Sequence, residues 1–329
     1  MKVVATGGGK AWLVDQPDPE PQGDEVVAKV HWSPICGSNL HGFTAEGEHV
    51  NTGHEGTGEV VAVDKPKFLK VGDRVVLNPC SMCGDCLECR QGDYILCRHK
   101  PPFMGHFCEY VRIQEAVCWK LPEDISTELG SMLGCALAPG YNALKRMGVK
   151  ANHTVLITGL GPVGLGAAAQ AVFRGALVIA ADPVEWRRNR AAELGVQHVL
   201  DPSDSDTLEA IRDLTSGRGV ERAADCSANP TAERLCMDAL APNGWMAIVG
   251  ENPGKIEISP SSDFIRREIH VLGAWHCNLN DGPAMMDFLR RSPKAPLLIS
   301  HRYGFSQAQE AFETAISRNS AKVILNPWE

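Results

Sequence analysis

Short β-branched runs fill the first third of the chain, and a regular alternation of strand-like and helix-like segments replaces them after about residue 125. Residues 25–30, 58–63 and 70–77 are rich in Val and bounded by Gly, Pro and Asp, which predicts strands closing a β-rich barrel or sandwich core. No helix beyond a turn or two is expected there. From Ser126 a helix start appears, and a second helix is expected over 142–147, ending at Gly148. The buried strand 154–158 follows, then a glycine turn and small apolar residues to Arg174. Further strands are expected at 177–181, 196–200, 219–225, 245–250 and 269–274, with helices at 207–215 and 231–240. The block can therefore supply a six-stranded parallel sheet. Helices at 283–291 and 306–318 and a strand at 322–325 come after that sheet is complete, so the tail is expected to return to the first domain.

Composition narrows the class without changing this picture. A chain of 329 residues exceeds the usual single core, which points to two domains. The net charge of −8 and a pI near 5.8 argue against nucleic acid or an anionic membrane as partner. The N-terminus lacks the apolar run of a signal peptide, and no stretch is long enough to span a bilayer. Twelve cysteines without a secretion signal imply a reducing compartment, and the expected location is cytoplasmic.

The turn Gly159-Leu160-Gly161-Pro162-Val163-Gly164 carries the first chemistry. Gly159 permits the tight turn, Gly161 lets backbone approach a pyrophosphate, and Gly164 lets helix pack on strand. The phosphates would meet unpaired N–H groups at the helix start, at Val163 and its neighbours beside Pro162, which itself has none. Asp182 closes the second strand, where a carboxylate accepts hydrogen bonds from both ribose hydroxyls of NAD and repels a 2′-phosphate. The basic run from Arg187 to Arg190 would suit NADP, but a solvated helix face explains most of it.

Two cysteine groups carry the second. Cys80, Cys83, Cys86, Cys89 and Cys97 crowd into eighteen residues, mostly at C-x₂-C spacing, as in a closed tetrahedral zinc site. Spacing alone does not say which thiol is left over, and a disulfide knot is the weaker reading in a reducing compartment. Cys36, with Ser38 and His41 close behind, and His54-Glu55 further on offer a soft metal its ligands. Taken alone, Cys36 and His54 are weak signals, because a buried cysteine is more often a small apolar core residue.

Taken together, Cys36–His41, Gly53-His54-Glu55-Gly56, the cysteine lobe, Gly134-Cys135, the glycine turn and Lys322 resemble the zinc-containing medium-chain dehydrogenases, over the whole length. The resemblance implies an α/β fold: a GroES-like β-rich catalytic domain over 1–136 with a zinc lobe at 80–98, a doubly wound Rossmann domain over 137–274, and a return over 275–329. It implies a structural zinc on Cys83, Cys86, Cys89 and Cys97, with Cys80 free. It implies a catalytic zinc on Cys36, His54 and Cys135, with Glu55 beside it. Ser38 and His41 would relay a proton, and Arg187 and Lys322 would serve NAD(H). The implied activity is reversible hydride transfer between a small alcohol or polyol and NAD, by a homodimer or homotetramer. A specialised carbonyl reductase, or a weakly catalytic zinc- and NAD-binding protein, uses the same residues. Asn39 and Pro139 depart from the family, which usually has an Asp and often a Thr there, and the loops 42–52 and 98–106 are short.

Overall fold

The β-branched runs do form strands in the computed structural model, which describes residues 1–329. Met1–Ala136 and Cys277–Glu329 make one unit, and Leu137–His276 makes the other. In the first unit β1 (Lys2–Gly7) and β2 (Lys10–Asp15) form a hairpin. Its turn, Gly8-Gly9, has φ of 57° and 77°, a left-handed pair that glycine adopts without strain. The long strand β3 (Glu25–Ile35) precedes the short helix α1 (Asn39–Thr44) and β4 (His49–Val50). Then come β5 (Gly56–Val63), β6 (Arg74–Leu77), α2 (Leu87–Arg90), β7 (Tyr110–Gln114), β8 (Cys118–Lys120) and α3 (Thr127–Gly130). Ser126 caps α3, its side chain accepting the Leu129 N–H at 3.2 Å. Val26, Ala28, Val30, Val60, Val75, Leu77 and Val111 are wholly excluded from solvent and form the centre of this unit's core.

The second unit alternates as its periodicity predicts. α4 (Ala138–Arg146), β9 (Thr154–Thr158), α5 (Pro162–Phe173), β10 (Leu177–Ala181), α6 (Glu185–Leu194) and β11 (His198–Leu200) form one half. α7 (Thr207–Leu214), β12 (Val220–Asp225), α8 (Pro230–Ala239), β13 (Leu240–Ile248) and β14 (His270–Gly273) form the other. The strands lie in the order β11-β10-β9-β12-β13-β14, all parallel. Covered on both faces, β9 and β10 read as continuous apolar runs. The order reverses between β9 and β12, and ligands of such sheets bind beyond the strand ends at that switch. Boundaries differ from the sequence reading: α4 begins at Ala138 rather than 142, and β13 runs from Leu240, directly after α8, through Pro242-Asn243-Gly244 rather than starting at 245.

The tail belongs to the first unit. α9 (Gly282–Arg291), β15 (Ile299–Gly304), α10 (Ala308–Ile316) and β16 (Lys322–Asn326) complete it. β16 lies antiparallel to β3 with Val323 opposite Ile35, and parallel to β15. β15 is absent from the sequence reading, because its centre is Ser-His-Arg-Tyr and carries no apolar alternation. Phe312 of α10 stacks on Phe43 of α1 at 5.2 Å and meets Phe107 edge-on at 5.7 Å, which fixes α1 against the tail.

Candidate active site and metal centres

The end of β3 and the start of β16 converge, and that register assembles the site. Cys36 follows the last residue of β3, and Lys322 opens β16 beside the Val323–Ile35 pair. His54 and Glu55 lie just before β5, whose Gly56 permits the approach to β3: a Cβ there would stand 2.6 Å from the Trp32 carbonyl oxygen. Cys135 lies in the buried segment after α3. Donor atoms of Cys36, His54, Glu55 and Cys135 all fall within 4.8 Å of one another.

These residues fit a zinc ion. The Cys36 and Cys135 sulfurs are 3.6 Å apart and form no disulfide. Two sulfurs each about 2.3 Å from one tetrahedral zinc stand about 3.8 Å apart, so no rearrangement is needed. Glu55 is wholly buried, and its Oε2 has no hydrogen-bond partner, an orphan that a nearby cation would satisfy. Charge agrees as well. Two thiolates and the Glu55 carboxylate against the Lys322 ammonium leave two net negative charges, which match a divalent cation.

In the metal-free protein the Cys36 thiol is readied for a metal, while Cys135 and His54 are biased toward protonated forms that a metal would displace. The hydrogen bond with Cys135 pulls the Cys36 thiol well below its ordinary pKa against its burial, and Cys135 is pushed up by the same bond and by burial. Burial opposes the charged form of His54, but Cys36 and Glu55 outweigh it and raise its pKa. Burial likewise opposes the Lys322 ammonium, whose pKa is nonetheless raised by Glu55, Cys36 and Cys135.

Lys322 stands apart from the role its resemblance implied. It is 1% exposed, and its Nζ donates to Glu55 Oε1 in a fully buried ion pair. The sequence carried a signal for this pair, since Lys322 is a lone cation in the apolar run of β16. Arg187 lies beside the glycine turn, with Nη1 3.7 Å from Asp182 Oδ2 and 3.9 Å from where a Gly161 Cβ would be. Ser38 and His41 are exposed at the start of α1. Trp275, just past the last strand of the parallel sheet, is 53% exposed, whereas His276 is buried.

Asn39 is tied to three neighbours. Its Oδ1 accepts the Cys36 N–H at 2.8 Å, its Nδ2 donates to the Thr52 carbonyl at 2.8 Å, and the same Nδ2 lies 3.5 Å from His54 Nδ1. His106 is wholly buried with both ring nitrogens unpartnered. Burial holds its pKa at about 3, so it stays neutral.

In the lobe, the donor atoms of Cys83, Cys86, Cys89 and Cys97 also lie within 4.8 Å of one another. Cys80 is the thiol left over; its backbone takes φ of 76°, outside the cluster. Backbone N–H groups of Cys86 and Asp85 lower the Cys83 pKa to about 6, which favours the thiolate that a metal requires. Four sulfurs leave no open position, so this centre is structural.

The glycine turn keeps its assigned geometry. Gly159 has φ of 78°, and a Cβ on Gly164 would stand 1.7 Å from the Gly159 carbonyl oxygen. Beside Gly161 the space is open apart from Arg187, as a phosphate-binding backbone requires. Asp182 is 3% exposed and rigid: Oδ2 accepts the Leu160 N–H at 2.7 Å and Oδ1 the Val184 N–H at 2.8 Å.

The chain is similar to known proteins along most of its length. A family model described as an alcohol dehydrogenase GroES-like domain matches residues 22–123, and one described as a zinc-binding dehydrogenase matches residues 162–291. L-threonine 3-dehydrogenase of Pyrococcus furiosus is 32% identical, over 98% of this chain and 97% of its own. Sorbitol dehydrogenase of Bacillus subtilis is also 32% identical, over 94% of this chain and 92% of its own. Among solved structures, alcohol dehydrogenase TADH from Thermus sp. ATN1 superposes with a TM-score of 0.91 at 24% identity, covering 99% of both chains. The 2R,3R-butanediol dehydrogenase of Bacillus subtilis gives 0.87 at 25% identity, again over 99% of both.

Proposed function

The chain belongs to the zinc-dependent medium-chain alcohol dehydrogenase family, and on that premise we propose that it oxidises a small secondary alcohol bearing a further polar group. The observation that carries this reading is the convergence of Cys36, His54, Glu55 and Cys135 within 4.8 Å. The substrate class follows from the relatives: one is named for the 3-position of threonine, another for sorbitol, and a third for a vicinal diol.

Cys36, His54 and Cys135 would hold the catalytic zinc, with Glu55 within reach of it. Bound zinc supplies Lewis-acid stabilisation of the substrate oxygen, and bound NAD accepts the hydride. The protein's own part is to fix the ligands and to move a proton. Ser38, two residues past Cys36, would take the hydroxyl proton, and His41 on the next turn would release it to solvent. Gly161, Pro162, Val163 and Gly164 would hold the pyrophosphate, and Asp182 with Arg187 the adenosine ribose.

The test is a panel of L-threonine, sorbitol, 2,3-butanediol and simple primary alcohols, followed by NADH absorbance. Turnover should be fastest with secondary alcohols that carry a neighbouring polar group. No NADH from any of them would overturn the reading.

Cofactor choice gives a second expectation. Asp182 should make the unmodified protein prefer NAD over NADP. Asp182 also accepts a backbone N–H on each of its oxygens, so Asp182→Asn removes the charge and keeps one of the two acceptors, and the fold of the variant is checked alongside. The substitution should erode the preference by about 10- to 100-fold, the worth of a charged hydrogen bond. A ratio of catalytic efficiencies unchanged by the substitution would contradict the role.

Self-association as a homodimer or homotetramer belongs to the same reading. β14 is an edge strand with exposed Val271, and Ile265 nearby is 71% exposed, a surface that a second copy would cover. Sedimentation at micromolar concentration would show it. Twelve thiols without a disulfide favour a cytoplasmic location, and no helix is long and apolar enough to cross a membrane.

A further inference from the structure

His106 holds a place that an apolar side chain would fill at lower cost. It is 0% exposed, and neither Nδ1 nor Nε2 has a hydrogen-bond partner. Whichever nitrogen carries the hydrogen, a neutral ring offers one donor and one acceptor. Each of them left unpaired in the interior lowers stability. Backbone contacts fix where the residue stands. Its N–H donates at 2.9 Å to the carbonyl of Gly53, which directly precedes His54. Two glycines let the segments approach: a Cβ on Gly53 would stand 2.6 Å from the Phe107 nitrogen, and one on Gly105 would stand 1.5 Å from the Asn51 carbonyl oxygen. A third buried atom without a partner, Thr52 Oγ1, lies on the facing segment.

The stretch that carries His54 therefore has an imidazole with unused hydrogen-bonding capacity alongside it. Phe103 meets that ring edge-on, with centroids 6.1 Å apart, and adds apolar surface to its surroundings. Such a group discriminates strongly between ligands. One that supplies the missing partner is favoured, and an isostere without it leaves the ring unpaired. The chemistry of the partner can be narrowed further. A hydroxyl both donates and accepts, so it pairs with whichever ring nitrogen it meets. An ammonium group pairs only with the acceptor nitrogen, and a carboxylate only with the donor.

We propose that His106 is a specificity-determining residue that receives the second hydroxyl of a vicinal diol while the first is oxidised. This assignment rests on the reading of Cys36, His54 and Cys135 as the centre of alcohol oxidation. It narrows the substrate's further polar group to a hydroxyl and names the side chain that meets it.

The experiment compares 2,3-butanediol with 2-butanol, which differ by that one hydroxyl, using the zinc-loaded full chain and NAD. The quantity read is the ratio of the two kcat/KM values. The unmodified chain should favour the diol by about 10- to 100-fold. His106→Phe, a ring without polar atoms, should remove most of that preference. His106→Asn, which can still donate and accept, should keep a larger share of it. Denaturant unfolding gives a readout apart from turnover: His106→Phe should be at least as stable as the unmodified chain, because two unpaired polar atoms are gone. If His106→Phe does not fold, His106→Leu carries the same comparison. An unchanged ratio in the folded apolar variant, as when a bound water already satisfies the ring, overturns the inference and spares the alcohol oxidation. Equal use of the two substrates by the unmodified chain, or turnover of L-threonine but of neither butanol compound, does the same. No NADH from any substrate overturns both.

Discussion

Cys135→Ala should lower alcohol oxidation by about 10³-fold or more while leaving the protein folded. Cys135 supplies one of the two sulfurs that stand 3.6 Å apart, and without it the remaining donors are one thiol, one imidazole and a carboxylate already paired with Lys322. The several kcal/mol that a Lewis acid contributes to stabilising developing charge on oxygen would be lost, at about 1.4 kcal/mol per tenfold in rate. Nothing else depends on this side chain: the four-sulfur lobe lies elsewhere in the unit, and the glycine turn belongs to the second unit. Metal analysis should therefore find one zinc per chain, and NAD binding should persist. Ser38→Ala is the contrasting control, keeping both metals and losing about 10²–10⁴ in rate, as for a positioned acid–base group. Full activity of Cys135→Ala with both zinc ions present would remove the site assignment altogether.

Lys322→Met should destabilise the fold by about 3–5 kcal/mol, the cost of leaving a buried charge without its partner. Glu55 and Lys322 are 0% and 1% exposed, so solvent cannot take over when either is removed. Glu55→Gln combined with Lys322→Met should recover a substantial part of the loss, because a neutral amide tolerates burial better than a carboxylate. Denaturant unfolding of the two single variants and the double variant measures this directly. The same experiment decides between the ion pair and the cofactor role that the family resemblance implied for Lys322. A variant with unchanged stability but a raised KM for NAD would favour the cofactor role and contradict the account of the pair.

Much of this architecture was legible because its periods are strong. The parallel sheet announced itself in apolar strands at β9 and β10 and in the amphipathic helices α7 and α8, and the glycine turn with Asp182 is a local motif that sequence shows completely. Metal ligands with short spacing were also readable: Cys83, Cys86 and Cys89 are near neighbours along the chain. What stayed hidden depended on contacts between distant segments. Which thiol of the lobe is spare came only from the family resemblance, since C-x₂-C spacing does not encode it, and the structure leaves Cys80 outside the cluster. The Glu55–Lys322 pair joins residues 267 apart, through the β3–β16 register. β15 escaped because a strand with a polar centre has no pattern of its own and is held in place by β16. Asn39 was visible as a departure from the family, but its direction of hydrogen bonding needed the Cys36 and Thr52 backbones.

The central claim is that the Cys36–His54–Cys135 centre, rather than the lobe, supports turnover. A stepwise chelator titration of the active protein tests it most directly, with zinc content and NADH production followed on the same sample. The account predicts two zinc ions per chain, of which the more labile is lost first. Activity should fall in proportion to that first ion and return when one equivalent is restored, while the lobe keeps its own throughout. Full turnover after the first zinc has gone, or a protein that is active with only the lobe occupied, would contradict it.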